Sequence, residues 1–211
     1  PPGISSASCG VTVAASGADY TSIQDAVDSL LPSSTPCTIR VAPGAYTENV
    51  VLTTSHVHLR GAGSERPTLQ ASDIGAPPVE VAGAVGIEIS GLSIQGVGSV
   101  GIHGANAAIV LSRNEITGFR SAPASAPLPA GVYAVESRLT ISENEIHENE
   151  VGVYAAGSTG SMSGNMFRQN GGSGAGTLSL RSSRFLVSDN SFAGGEPLYT
   201  VFEAPSGDAC T

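Results

Sequence analysis

Apolar and polar residues alternate over short stretches in the second half of the chain, and the alternation restarts at recurring points. The stretches LSRNEI (Leu111 to Ile116), ISENEI (Ile141 to Ile146), MSGNMF (Met162 to Phe167) and VSDNSF (Val187 to Phe192) each read apolar, Ser, variable, Asn, variable, apolar. A fainter copy, ISGLSI, runs from Ile89 to Ile94 with Leu92 in place of Asn. Successive copies begin 22, 30, 21 and 25 residues apart. Alternation with period two marks a strand, and a loose period in the twenties marks strands coiled into a solenoid. The pattern predicts an all-β, single-stranded, right-handed parallel β-helix. Leu111 and Ile116, Ile141 and Ile146, Met162 and Phe167 stack inside successive coils, and Asn114, Asn144, Asn165 and Asn190 stack at a bend. A row of side-chain amides satisfies buried donors and acceptors from coil to coil, and Asn tolerates the left-handed backbone a bend needs.

A second phrase keeps the same beat: GIHGA from Gly101, GVYAV from Gly131, GVYAA from Gly152 and GTLSL from Gly176. Strand alternation turns Ile102, Val132, Val153 and Thr177 one way and His103, Tyr133, Tyr154 and Leu178 the other. With the first set in the core, the second is an outward row, one residue per coil at about 4.8 Å.

The amino-terminal part follows a different period. In DYTSIQDAVDSLLP, Ile23, Ala26, Val27, Leu30 and Leu31 have helical spacing, Thr21 and Gln24 make a T-x-x-Q capping box, and Pro32 is a stop. This predicts an N-terminal α-helical cap over the open solenoid end, where unpaired edges would otherwise be exposed. The expected organisation is residues 1–36 as tail, first strand and cap helix, 37–195 as about six coils, and 196–211 as a capping tail.

Composition narrows the partners. The 211 residues carry a net charge of −9, and all nine cations are Arg, with no Lys. That balance argues against nucleic acid and against an anionic membrane surface. No apolar run approaches the roughly 20 residues of a membrane span. No leader is legible, and PPGISSAS reads as the start of a mature or trimmed chain, which leaves the compartment open. Cys9 and Cys37 each precede a strand, CGVTVAASG and CTIRVAPG. If those strands pair in parallel the two thiols lie at one end, within bridging distance. Cys210 is the odd cysteine, free or linked to another chain. The cysteines favour an oxidising, extracellular or cell-surface location.

VTVAASGADYTSIQDAVDSL, then TIRVAPGAYTENVVL and VHLRGAG, resemble the opening of the pectin-lyase-like superfamily, especially its pectin methylesterase branch. The later coils are similar to the parallel β-helix repeats of bacterial secreted proteins, including accessory proteins of nitrous oxide reductase. The resemblance covers nearly the whole chain and implies the fold. It implies no catalytic residue: the QAVAL, QDT, DFIFG and GRPW signatures of the esterases have no counterpart, and the pectate lyase signatures are also missing. The six Asp residues occupy no equivalent positions in adjacent coils.

Three constellations remain. The row His103, Tyr133 and Tyr154 offers aromatic surface for sugar rings or a protein partner, or is ordinary cross-strand packing beneath the inserted loop SAPASAPLPA (Ser121 to Ala130). Glu115 and Glu145 hold equivalent positions in adjacent coils, where like charges repel. A calcium ion would relieve them, as would splaying into solvent, and His147 beside them makes an acid/base pair conceivable. His56 and His58, alternating in SHVHLRG beside Arg60, would share one strand face as half of a transition-metal site.

The expected function is a non-catalytic secreted or cell-surface module that assembles end to end with itself or binds a polysaccharide, needing no cofactor apart from the calcium alternative. The competing reading is a carbohydrate-active lyase, esterase or hydrolase with a divergent site.

Overall fold

The structure, a computed structural model, describes residues 9–73, 75–96, 98–120, 128–171 and 176–195. Strands at equivalent places in successive coils pair in parallel, and among the described residues they form three sheets. The first sheet has eight strands, beginning with Gly10–Val13 and Cys37–Val41 and ending with Arg184–Ser188. The second has seven, from Ala45–Thr47 to Ser191–Gly195, and the third has six, from Val50–Leu52 to Leu178–Arg181. The architecture is the parallel β-helix that the apolar period predicts, with about seven turns where about six were expected.

The repeat alignment holds in register. Ile89, Leu111, Ile141 and Met162 are successive partners in the first sheet, and Ile94, Ile116, Ile146 and Phe167 in the second. All eight are sealed from solvent. Burying one such side chain contributes about 1.5–3 kcal/mol, so the stacked rows are the main cohesive force.

The bends have a common construction. Between the first and second sheets Gly91, Arg113, Glu143, Gly164 and Asp189 adopt left-handed φ of 56 to 69°. The ladder residues Leu92, Asn114, Asn144, Asn165 and Asn190 follow immediately. The left-handed position is therefore the variable residue, not the Asn as expected, because the Asn side chain must point inward. Each amide donates to the next: Asn114 to Asn144 at 3.1 Å, Asn144 to Asn165 at 3.1 Å and Asn165 to Asn190 at 2.8 Å. Each oxygen also accepts the backbone N–H of the preceding coil, which the bend deprives of a sheet carbonyl. The other two bends repeat the device. After left-handed Glu148 and Gln169 come Asn149 and Asn170, bonded at 3.1 Å, and after left-handed Glu136, Gly157 and Ser182 come Ser137, Ser158 and Ser183.

The helix differs from its expectation in frame and length. It spans Ile23–Asp28 and ends at Ser29, well before Pro32. Ile23, Ala26, Val27 and the following Leu30 are buried, but Leu31 is 77% exposed, since six residues of helix cannot bring it to the same face. The N-cap is Ser22, not Thr21, and its hydroxyl accepts from Asp25 N. Glu48 sets this frame: its carboxylate accepts from Ile23 N at 3.0 Å, Gln24 N at 2.9 Å and the Ser22 hydroxyl at 2.8 Å. A carboxylate is well placed at the unsatisfied N–H groups of a first turn. The helix packs against Gly10–Val13, Cys37–Val41 and Val50–Leu52.

The first two strands pair in parallel with Gly10 opposite Thr38, and Cys9 and Cys37 form a disulfide. Cys210, the tail 196–211 and residues 121–127 of the inserted loop lie outside the described residues. No helix among the described residues is long and apolar enough to cross a membrane.

Candidate functional site

The third sheet carries the outward row. Val79, Ile102, Val132, Val153 and Leu178 are register partners pointing into the core, and the residues after them, Glu80, His103, Tyr133, Tyr154 and Ser179, face out. Leu178 thus leaves the row expected from the GTLSL alignment and Ser179 replaces it. Leu178 and Leu180 are two residues apart and both apolar, so the register that buries the pair prevails.

The Tyr133 and Tyr154 rings stack with centroids 4.6 Å apart and planes 12° from parallel, and His103 tilts against Tyr133 at 5.7 Å. The Nδ1 of His103 lies 3.8 Å from Glu80 Oε1. The stack uses one face of the Tyr133 ring. Beyond Tyr154 the row continues with Ser179, which brings no ring and is 8% exposed. Burial pushes the Tyr133 hydroxyl up, and Tyr154 adds to this through its charge and its hydrogen bond, against the pull of Arg181. Beside the aromatic ridge runs a low row of register partners, Ala82, Ala105, Val135 and Ala156, ending at Arg181.

The second sheet holds the other titratable cluster. Glu115 and Glu145 are register partners as expected, and each is engaged. Glu145 pairs with Arg168. Glu115 accepts the Ser93 hydroxyl and lies 3.3 Å from His147 Nε2, while His147 Nδ1 is 3.2 Å from the Thr117 hydroxyl. Among the described residues no group of three or more His, Cys, Asp or Glu side chains is arranged to hold a metal ion. His56 and His58 do not share a strand face: His56 sits at a left-handed bend, φ 62°, before the strand Val57–Gly61, and there the alternation does not apply. His58 faces Glu88 at 3.6 Å.

Burial alone would raise the Glu115 carboxyl, but its bonds to Ser93 and His147, the His147 charge and more distant Arg66 outweigh that, leaving it below the ordinary value of 4.5. The unfolded chain then binds this proton more readily. The ionised group contributes stability that is fully present above pH 4.5 and is lost as the pH falls through the folded value. In an acid titration followed by circular dichroism, wild type should lose stability below that pH more steeply than Glu115→Gln.

The serine row and the Asn149–Asn170 pair were missed by sequence reasoning. The recurring Ser137, Ser158 and Ser183 were a usable signal. The Asn pair was not, because Phe119 holds the preceding position and the repeat shows only two amides.

The model of the family described as right handed beta helix region matches residues 57–197. No curated protein matches the sequence. Among solved structures, a pectin methylesterase in complex with a hexasaccharide is 15% identical with a TM-score of 0.63, the match covering 87% of this chain and 67% of that one. Pectin methylesterase PemA from Erwinia chrysanthemi is 13% identical with a TM-score of 0.58, covering 91% and 71%. An alginate lyase from Paenibacillus sp. is 15% identical with a TM-score of 0.55, covering 82% and 72%. At these identities the likeness is one of fold, shared with carbohydrate-active enzymes.

Proposed function

The chain belongs to the right-handed β-helix family, and on that premise we propose that it is a non-catalytic, secreted or cell-surface β-helix module that presents its third sheet to a polysaccharide. One observation carries the reading: the candidate acid, base and aromatic groups lie against neighbours in adjacent coils. His103 has Glu80, Tyr133 has Tyr154, and Glu145 has Arg168. Reactive groups held this way do not converge on a substrate atom, whereas the Tyr154 ring beside a floor of Ala and Val suits a flat sugar face. The Cys9–Cys37 disulfide supports an oxidising compartment. The helix Ile23–Asp28 serves in this reading as the cap of the first end.

End-to-end association is the companion role. At the opposite end of the described coils, Val187 and Phe192 hold core positions yet are 40% and 44% exposed. Exposed apolar side chains on the last described strands favour a partner there, and a head-to-tail contact between copies gives a filament.

The enzyme reading rests on one observation, the chain Thr117 hydroxyl, His147, Glu115. A hydroxyl, an imidazole and a carboxylate in that order are the elements of an activated nucleophile. One experiment separates the two. The protein is incubated with pectin and with alginate, and both retention on the polysaccharide and released product are measured. The module reading expects retention without product, with Tyr154→Ala weakening retention several-fold. Product formation abolished by His147→Ala would establish the enzyme instead.

A further inference from the structure

At the corner where the third sheet turns into the first, a cleft of about 340 Å³ crosses successive coils. Its middle coil supplies two charged side chains, Glu136 and Arg138, and the coils on either side supply shorter ones. Arg138 has Ala108 and Thr159 as its register partners. Glu136 follows Val135, whose partners Ala105 and Ala156 lead into Asn106 and Gly157. The cleft is the space that these shorter neighbours leave beside the two charges. Between them Ser137 is buried, its hydroxyl accepting the Ala107 N–H at 3.1 Å and donating to Val135 O at 2.8 Å.

Elsewhere on the solenoid outward charges pair across coils, as Arg60 does with Glu88 and Glu145 with Arg168. Glu136 and Arg138 are exposed, and among the described residues neither has an ion pair or a side-chain hydrogen bond. A Cβ on Gly157 would lie 3.6 Å from Glu136 Cγ, so the stem of this carboxylate runs over the glycine of the next coil. The main-chain carbonyls of Glu136 and Gly157 likewise accept nothing from a described residue. A guanidinium fork matches a carboxylate in two parallel hydrogen bonds, and a carboxylate with free carbonyls suits an ammonium group. The two unsatisfied charges side by side therefore match a ligand that carries both signs. Such a ligand also escapes the repulsion that a chain of net charge −9 exerts on a simple anion. Val85, in the preceding coil, is 48% exposed and lines the same cleft with Ala108, which adds an apolar wall.

We propose that this cleft binds a free α-amino acid with an apolar side chain. Arg138 takes the carboxylate in its fork, Glu136 and the bend carbonyls take the ammonium group, and Val85 and Ala108 take the side chain. Asn106 and Thr159 supply hydrogen-bonding groups at the margins. The volume lies within the range of small-molecule clefts. The site uses neither the tyrosine row nor the Thr117, His147, Glu115 chain, so it and the polysaccharide reading can fail separately.

The test is calorimetric titration of the intact chain with L-leucine, N-acetyl-L-leucine and L-leucinamide, the last two lacking the ammonium and the carboxylate respectively. Wild type should bind leucine and hold each derivative about tenfold or more weakly, the effect of losing one charge-assisted contact. Arg138→Gln and Glu136→Gln should each weaken leucine binding by a similar factor. Tyr154→Ala should leave it unchanged. Both charge variants are expected to melt with wild type, since both side chains are exposed and support no neighbour. No leucine binding by wild type, or wild-type affinity in the folded double variant, would overturn the site. Equal affinity for leucine and its two derivatives would reduce it to an apolar contact at Val85 and overturn the recognition of both charges.

Discussion

Replacing Asn144 with Leu should lower the stability of the chain by about 4 kcal/mol or more, seen as a large fall in the denaturant midpoint. The side chain is 2% exposed and holds five partners. Its oxygen accepts from the backbone and amide nitrogens of Asn114, and its nitrogen donates to Leu111 O, Ser142 O and Asn165 Oδ1. Leucine fills the volume but leaves these groups in an apolar interior, and each orphaned one costs about 1–3 kcal/mol. The neighbouring Glu145→Ala removes a half-exposed ion pair with Arg168 and should change stability by less than about 1 kcal/mol. Equal midpoints for the two variants would contradict the amide ladder and, with it, the coil register.

Loss of the Cys9–Cys37 bridge should be nearly as costly. The cysteines are 28 residues apart in sequence, and closing a loop of that size constrains the unfolded chain by about 3.5 kcal/mol. The bridged loop contains the helix Ile23–Asp28 and ties the first strand to the second. A Cys9→Ser, Cys37→Ser double variant, or wild type in reductant, should therefore exchange its amide protons faster in the first two strands. Exchange in Arg138–Ser142 and beyond should stay as in wild type, since solenoid coils support only their neighbours. A uniform acceleration along the whole chain would argue that the coils unfold as one unit.

What the sequence made legible was whatever recurs as side-chain chemistry. The Asn row, the apolar pairs around it and the parallel pairing behind the disulfide all follow from residue types at matching offsets. Other features were hidden for identifiable reasons. The left-handed bend positions are filled by Arg, Glu, Gln, Ser, Gly and Asp, which share a backbone shape and no chemistry. The helix frame depends on Glu48, which is remote in sequence from the Ser22 it contacts. The shift of Leu178 into the core follows from a register in which Leu178, not Thr177, pairs with Val153, so that matching Gly176 to Gly152 misplaced the strand by one residue. The Tyr133 and Tyr154 alignment was legible, but the stacking of one ring on the other, which decides how much surface they offer, was not.

The Asn ladder also has a direction. The amide nitrogens of Asn114, Asn144 and Asn165 each donate to the amide oxygen of the next coil as well as to a carbonyl of the preceding one, so the side-chain amides from Asn114 to Asn190 line up head to tail. The negative pole is met by the Leu92 N–H, and the positive pole by the carbonyl oxygens of Met162 and Ser188. Aligned bonds polarise one another, by about 10–30% each in condensed phase. The row is thus a short line of aligned dipoles, buried from Asn114 to Asn165 and partly exposed at Asn190, with main-chain partners at both poles. A central amide such as Asn144 is polarised from both sides, and Asn190 from one.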